Sequence, residues 1–463
     1  MKTIYINTTQ LLVFLLVLIT MNSCDSFVDV ELPKSQLINT SVFKDNSTAD
    51  AALTDIYSKI RDEGMLTGQS SGLSTQLGTY TDEITSYIPP ASQNLAFYNN
   101  TLLPSTYEIT NYWNTAYNQI FAANSVIEGV QESATISTEN KKRLQGEALF
   151  IRALLHFYLV NLYGDIPYVK QTDYQQNKLV TRMIRTEVYK NIISDLQNSI
   201  DLLLPTYSST ERVRPNQYTA KALLSRAYLY SGAYAEAANM ASELLNQTST
   251  FLLGQNIDQV FLMNSKETIW QLKPTVAGNN TDEAGTFIIL SVPPSNYSLT
   301  TELVNSFGAN DLRKSRWIKA IGNSSSTWYH AYKYKEREFT PVSKEYSIVF
   351  RLAEQYLIRA EARAQNEDLE GAKQDLNKIR SRANLNDTPA ATKSEILDAI
   401  LQERNWEYFT EYGHRFFDLK RFNKIDNVLS ALKPGWNSDD QLFPIPQTEL
   451  NTNPNLRPQN PGY

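Results

Sequence analysis

Apolar residues recur every three to four positions through most of this chain. That rhythm restricts it to a fold built from packed helices. "ADAALTDIYSKIRD" (Ala49 to Asp62) places Ala52, Ile56 and Ile60 on one face. "WNTAYNQIFAANSVIEGV" (Trp113 to Val130) continues the pattern through Ala116, Ile120, Ala123 and Ile127, with Trp113 on the apolar side. "KRLQGEALFIRALLHFYLVNLYGDIPYV" spells one long helix stopped by Gly164 and Pro167. "TEVYKNIISDLQNSIDLLL" spells another, capped by Thr186 and ending before Pro205. Glycine is scarce, 17 in 463 residues, which disfavours a turn-rich β sandwich.

Two stretches resemble each other. "AKALLSRAYLYSGAYAEAANMASELL" and "AEQYLIRAEARAQNEDLEGAKQDLNKIR" each read as helix, short turn, helix. Tyr234 leads Ala237 by three and Leu244 by ten; Leu369 leads Ala372 and Ile379 by the same steps. Small residues at the crossing let the two helices approach closely, as in a tetratricopeptide hairpin. The two are not tandem, so no regular solenoid is expected. Packing against neighbouring helices is the favoured role, ahead of docking a partner protein.

The amino terminus carries a different signal. "LLVFLLVLI" (Leu11 to Ile19) is preceded by Lys2 and followed by "TMNS" and the only cysteine, Cys24. The run suits an export signal and is too short to span a membrane. A lone cysteine has no disulfide partner in the chain. "SCDSF" supplies no neighbour that would make a reactive or metal-binding thiol. Residues 1–23 therefore read as a lipoprotein signal peptide, with Cys24 the lipidated first residue of the mature chain, ahead of an ordinary signal peptide with an incidental free cysteine. Met21 and Asn22 depart from the commonest form of such a site. Acyl chains contribute about 0.8 kcal/mol per buried CH₂, so several give stable anchoring. Asp25 to about Thr40 reads as an acidic tether.

Between helices the composition changes. Gly64 to Thr106 and Gln247 to Pro341 are polar, with Gly, Ser, Pro and scattered Tyr. "ETIWQLKP", "TFIILSV" and "WYHAYKYK" read as short strands within the second region. Long irregular segments in a compact protein usually carry function, so these two regions are the expected site.

Several chemistries find little support. Net charge is −6 and no basic tract stands out, which argues against nucleic acid as a partner. "GQSSG" (Gly68 to Gly72) fits a nucleophile-elbow pattern at Ser70, but "RDEGMLT" before it is no strand. His156, His330 and His414 lack metal-ligand spacing, and His156 reads as a hydrogen-bonded core residue. Glu403 and Glu407 share a helix face, and Asp418 lies three residues from both Arg415 and Arg421. An ion-pair network is preferred there over a glycosidase pair. No cofactor or metal is expected.

"SCDSFVDVELP", "RALLHFYLVNLYGDIPYV", "ERNWEYFTEYGHRFFDLKRF" and the terminal "LFPIPQTELNTNPNLRPQNPGY" follow one another in order along the chain. Together these four stretches resemble the SusD/RagB family, the outer-membrane nutrient-binding lipoproteins of Bacteroidetes. Tyr412 and His414 around Gly413 depart from the family's usual Glu-Gly-x-Arg run, which implies a local change at a helix end. The resemblance implies a mostly α fold, with tetratricopeptide-like helix pairs under a loop-rich ligand face that carries a few short strands. It implies one SusD/RagB-like domain over 24–463, with an N-terminal helical part (24–246) holding the first ligand loop and a C-terminal part (247–463). It also implies a lipid-anchored protein facing the exterior at the outer membrane, a TonB-dependent transporter barrel as partner, and a glycan ligand.

Glycan capture needs flat aromatic faces and fixed hydrogen-bonding groups. The first region offers Tyr80, Asp82, Tyr87, Gln93, Asn94 and Tyr98. The second offers Asn279, Phe287, Tyr297, Trp317 and Trp328. Alternation in "WYHAYKYK" sends Trp328 and Tyr329 to opposite faces. Two other uses of the chain stand beside glycan capture: peptide capture on the same scaffold, and surface glycoside hydrolysis.

Overall fold

The computed structural model describes residues 42–89 and 95–463. Cys24, the tether, Gln93 and Asn94 lie outside them. Counting helices of eight residues or more, α1 spans Asn46–Asp62, α2 Leu73–Tyr80, α3 Tyr107–Glu132, α4 Thr138–Tyr163, α5 Arg185–Leu202 and α6 Gln217–Ser231. α7 spans Tyr234–Leu245, α8 Leu352–Gln365, α9 Leu369–Arg382, α10 Lys393–Tyr408, α11 His414–Arg421 and α12 Ile425–Leu432. None of the described helices is long and apolar enough to cross a membrane.

Caps set the helix ends. Asp45 accepts from the Ser47 and Thr48 amides and starts α1. α4 stops at Gly164, whose φ of 75° suits a residue without Cβ. α5 corrects the expected cap: Thr186 lies inside its first turn, and Ile184 at the cap position offers no side-chain acceptor. The Asp165 carboxylate fills that role from outside, accepting the Arg185 amide at 2.8 Å.

Helices α3 to α9 pack each against the next in chain order. The two similar hairpins, α6/α7 and α8/α9, are therefore neighbours in space although residues 246–351 separate them in sequence. Their joint is polar and buried. Arg226 on α6 makes a two-pronged pair with Glu354 on α8 (2.6 and 2.7 Å), and Ser225 donates to Gln355 at 2.7 Å. The stack continues across the long insertion, a continuity that the broken tandem pattern had argued against.

The insertion carries most of the sheet structure. β1 (Ile84–Ser86), β3 (Tyr297–Leu299), β5 (Thr327–Ala331) and β4 (Ile318–Gly322) form one antiparallel sheet in that order. β2 (Thr268–Leu272) pairs with β6 (Ser347–Arg351) in a second. "ETIWQLKP" and "WYHAYKYK" hold strands as expected. "TFIILSV" does not: Asp282–Phe287 is a short helix, with Thr281 accepting from Ala284 and two acidic residues in its first turn. Gly64 to Thr106 is also less irregular than its composition suggests, because all eight residues of α2 are buried.

One apolar cluster runs through the helical stack and takes residues from Phe43 to Leu456, Trp113 among them. A second lies under the four-stranded sheet and includes Ile84, Tyr297, Leu299, Trp317 and Ala331. Between insertion and helices sits a buried ionic network. Glu407 on α10 meets Arg313, Arg351 and Arg382, while Glu267 pairs with Arg382, and Glu411 with Arg351 and Lys333. Burial pushes the Glu407 carboxyl up, but the three guanidiniums outweigh it and hold it well below the usual carboxylate range. This is the ion-pair role expected for Glu403 and Glu407. Asp418 pairs with Arg404 and Arg421, whereas Arg415 turns to Asp82.

Candidate ligand face

The four-stranded sheet has two unlike sides. Ile84, Leu299, Tyr329 and Ala331 face the second apolar cluster. Strand alternation sends Thr85, Ser298, Trp328 and His330 to the other side. Tyr87 joins them: its amide donates to the Asn296 carbonyl (2.7 Å), and its hydroxyl accepts from Ser298 at 3.3 Å. Tyr87 is 39% exposed and Trp328 partly so. Two aromatic faces thus share the outer side of one sheet, with Trp328 and Tyr329 on opposite sides as expected.

Beside Tyr87 lies a cavity of about 240 Å³. Its wall is the 285–297 segment, with Ser291, Ser295 and Asn296 among the polar groups, Leu290 and Phe287 among the apolar ones, and Arg337. Tyr297 closes one end, beside Ser70. A larger cavity of about 600 Å³ lies among helix ends around Thr138–Glu147 and Leu202–Asn216. None of the expected site residues lines it.

The remaining aromatic candidates are placed elsewhere. Trp317 is fully buried, its indole donating to the Ile257 carbonyl at 3.2 Å and its ring edge-on to Phe261. Tyr80 is equally buried among Phe97, Phe416, Trp436 and Phe443. Both fill cores: Tyr80 belongs to the first apolar cluster and Trp317 to the second. Tyr297 is 6% exposed and reaches the cavity only by its edge position. Phe287 belongs mainly to the second cluster, and Asn279 is exposed at a separate small cavity. Asp82 is held by Arg415 through two bonds (2.8 and 2.6 Å) and so is not free for ligand. Tyr98 is partly exposed but has Lys433 4.1 Å above its ring.

The sequence reading missed His330, Asn296 and Arg337. His330 was legible in principle, being two residues from Trp328 on the same strand. It is 3% exposed, and neither ring nitrogen has a partner among the described residues. Burial pushes it down to about 4, with Lys319 adding to the effect, so it stays neutral at pH 7. His156 bonds the Arg152 carbonyl through Nδ1 and accepts the Val169 amide at Nε2, the core role expected for it. Ser70 follows a short 3₁₀ turn, Gly64–Leu66, and no strand, so the nucleophile elbow is not formed.

These features define a class: a stacked-helix scaffold whose insertion presents an aromatic, cavity-flanked face. Residues 26–229 match a family model described as SusD-like, "starch-binding associating with outer membrane", and residues 272–463 match that of the SusD family. The chain belongs to the SusD/RagB family. It is 26% identical to SusD-like protein P2 of Formosa agariphila, over 97% of this chain and 99% of the relative. It is 24% identical to the starch-binding protein SusD of Bacteroides thetaiotaomicron, over 73% of this chain and 74% of the relative. Among solved structures, a laminarin-binding SusD-like protein superposes with a TM-score of 0.76 at 25% identity, covering 91% of this chain and all of that one. A SusD superfamily protein from Bacteroides vulgatus gives 0.77 at 21% identity, covering 91% and 100%.

Proposed function

We propose that this protein captures oligo- or polysaccharide on the outer side of the four-stranded sheet and in the adjoining cavity. The placement of Tyr87 and Trp328 on one sheet side, beside a polar cavity, carries the reading. Sugar C–H faces pack on such rings, while Ser and Asn side chains pair with hydroxyls. The names of the starch-binding and laminarin-binding relatives support a glycan as ligand. In this reading the protein does no chemistry on the glycan. It is anchored through a lipid on Cys24 at the exterior of the outer membrane and passes its ligand to a TonB-dependent transporter barrel.

The test is retention of soluble residues 25–463 on native gels cast with a panel of polysaccharides. At least one polymer should retard the protein. Tyr87→Ala and Trp328→Ala should each weaken retention about tenfold, as expected for an aromatic anchor, without changing the circular dichroism spectrum. Undiminished retention in both variants overturns the site. Retention by no polymer turns the reading toward peptides. Reducing-end release is expected to be absent. Mass spectrometry of the mature amino terminus should find lipid on Cys24, and a β-barrel should co-purify from native membranes.

A further inference from the structure

Arg337 stands apart from the other arginines that border the insertion. Arg313, Arg351 and Arg382 are buried and each meets two or more acceptors. Arg415 is held by both oxygens of Asp82. Arg337 is exposed, and its one described partner is the adjacent Glu338, through Nη1 at 2.7 Å. The Glu338 side chain is 81% exposed. A pair so open to water holds its partners weakly. Nε and Nη2 of Arg337 have no partner among the described residues, and the residue lines the wall of the 240 Å³ cavity.

The charge inventory of that cavity is one-sided. Among the described residues, Arg337 is the only charged one in its lining. Its acceptors are neutral: the hydroxyls of Thr286, Ser291 and Ser295, the Asn296 amide and backbone carbonyls. A carboxylate lining would take hydroxyl donors from a neutral sugar, and none is present. A guanidinium with free forked donors is matched instead by a carboxylate or sulfate, which accepts two parallel N–H bonds. Resting on the capture reading above, we infer that this cavity selects an anionic saccharide, with Arg337 holding the acidic group of a uronate or sulfated residue while the rest of the chain lies over Tyr87. The nearest opposing charge is the Glu338 carboxylate, 2.7 Å from Nη1; it is open to water, weakly held and so displaceable by the ligand's acidic group, and charges more than about 8 Å away are screened in physiological salt.

The experiment is calorimetric titration of residues 25–463 with three oligosaccharides of equal length: neutral laminari-, carboxylated galacturono- and sulfated carrageeno-oligosaccharides. At least one anionic class should bind tenfold or more tighter than the neutral one, and the stronger of the two identifies the group read. Arg337→Ala should bring that ratio to within about twofold; Arg337→Lys should restore only part of it, because ammonium keeps the charge and loses the fork. Equal affinities in the natural protein, or a ratio that survives Arg337→Ala, overturn the inference and leave glycan capture standing. Binding of none of the three, with Tyr87→Ala also indistinguishable from the natural protein on every gel, removes the capture reading and this inference with it.

Discussion

Trp317 and Trp328 lie eleven positions apart in similar polar surroundings, yet one is a core residue and the other is partly exposed on the outer side of the sheet. Nothing local separates them. Trp317 ends a short helix and drops between layers, where Phe261 and Lys333 already wait. Trp328 keeps the alternation of a strand whose Tyr329 and Ala331 pack on the second apolar cluster, and that alternation was readable. Tyr80 was misplaced for the same reason as Trp317: an aromatic in a polar loop sequence reads alike whether it plugs a core or faces a ligand. The residue scale also holds a titration. Burial, with Asp82 adding to it, pushes the Glu83 carboxyl to about 8 against Arg415 and Lys333. Its ordinary value is 4.5, so the folded state holds a proton that the unfolded chain has released between those limits. That contribution to stability is complete below pH 4.5 and is lost as pH rises through 8. Glu283, raised to about 7, adds to the same slope. Melting temperature should therefore fall between pH 5 and pH 8, and Glu83→Gln should flatten the fall without abolishing it. An unchanged slope in the variant would assign the pH dependence elsewhere.

At the scale of elements, the long helices were legible because burying one face of a helix writes a 3.6-residue period into many consecutive positions. Strands of three residues, β1 and β3, leave too little pattern to read, and their identity comes from partners far away in sequence. The chain turns sharply near Gly413. α10 stops at Tyr408, and Thr410, Tyr412 and Gly413 all take positive φ before α11 begins. The turn is fastened to α2: the Tyr412 amide donates to Ser74 Oγ at 2.9 Å, and Leu77 packs against Gly413. A Cβ built on Gly413 would lie 2.2 Å from Leu77 Cδ1, at a φ of 74° that L side chains rarely adopt. Gly413→Ala should cost about 2–3 kcal/mol, the left-handed strain and the clash together. Chemical denaturation checks it. A loss under 0.5 kcal/mol would show that α2 shifts freely and that the turn is not fixed by this contact.

Over the whole molecule, the question is how a helical stack keeps a long insertion in register with itself. The stack would close without residues 246–351, since α7 packs directly on α8. The insertion is joined to it by apolar packing of β2 and β6 and by the charges gathered around Glu407: Arg313 and Arg351 from the insertion, Arg382 from α9, with Glu267 and Glu411 completing the pairs. Such a buried network is weak evidence of net stability, but removing one member leaves buried charges short of compensation. Glu407→Gln leaves three guanidiniums short of an anion and should cost about 3–5 kcal/mol. The loss should not be uniform. Amides of β3, β4 and β5 should exchange sooner than those of α4 and α6, because the sheet is held to the stack through this joint while the helices keep their own core. In the natural protein both groups should exchange with similar protection, as one cooperative unit. Hydrogen exchange read by mass spectrometry separates the cases. Equal loss of protection in sheet and helices of Glu407→Gln would mean that the network stabilises the fold as a whole. Selective loss in the sheet would identify it as the fastening that holds the ligand face in place.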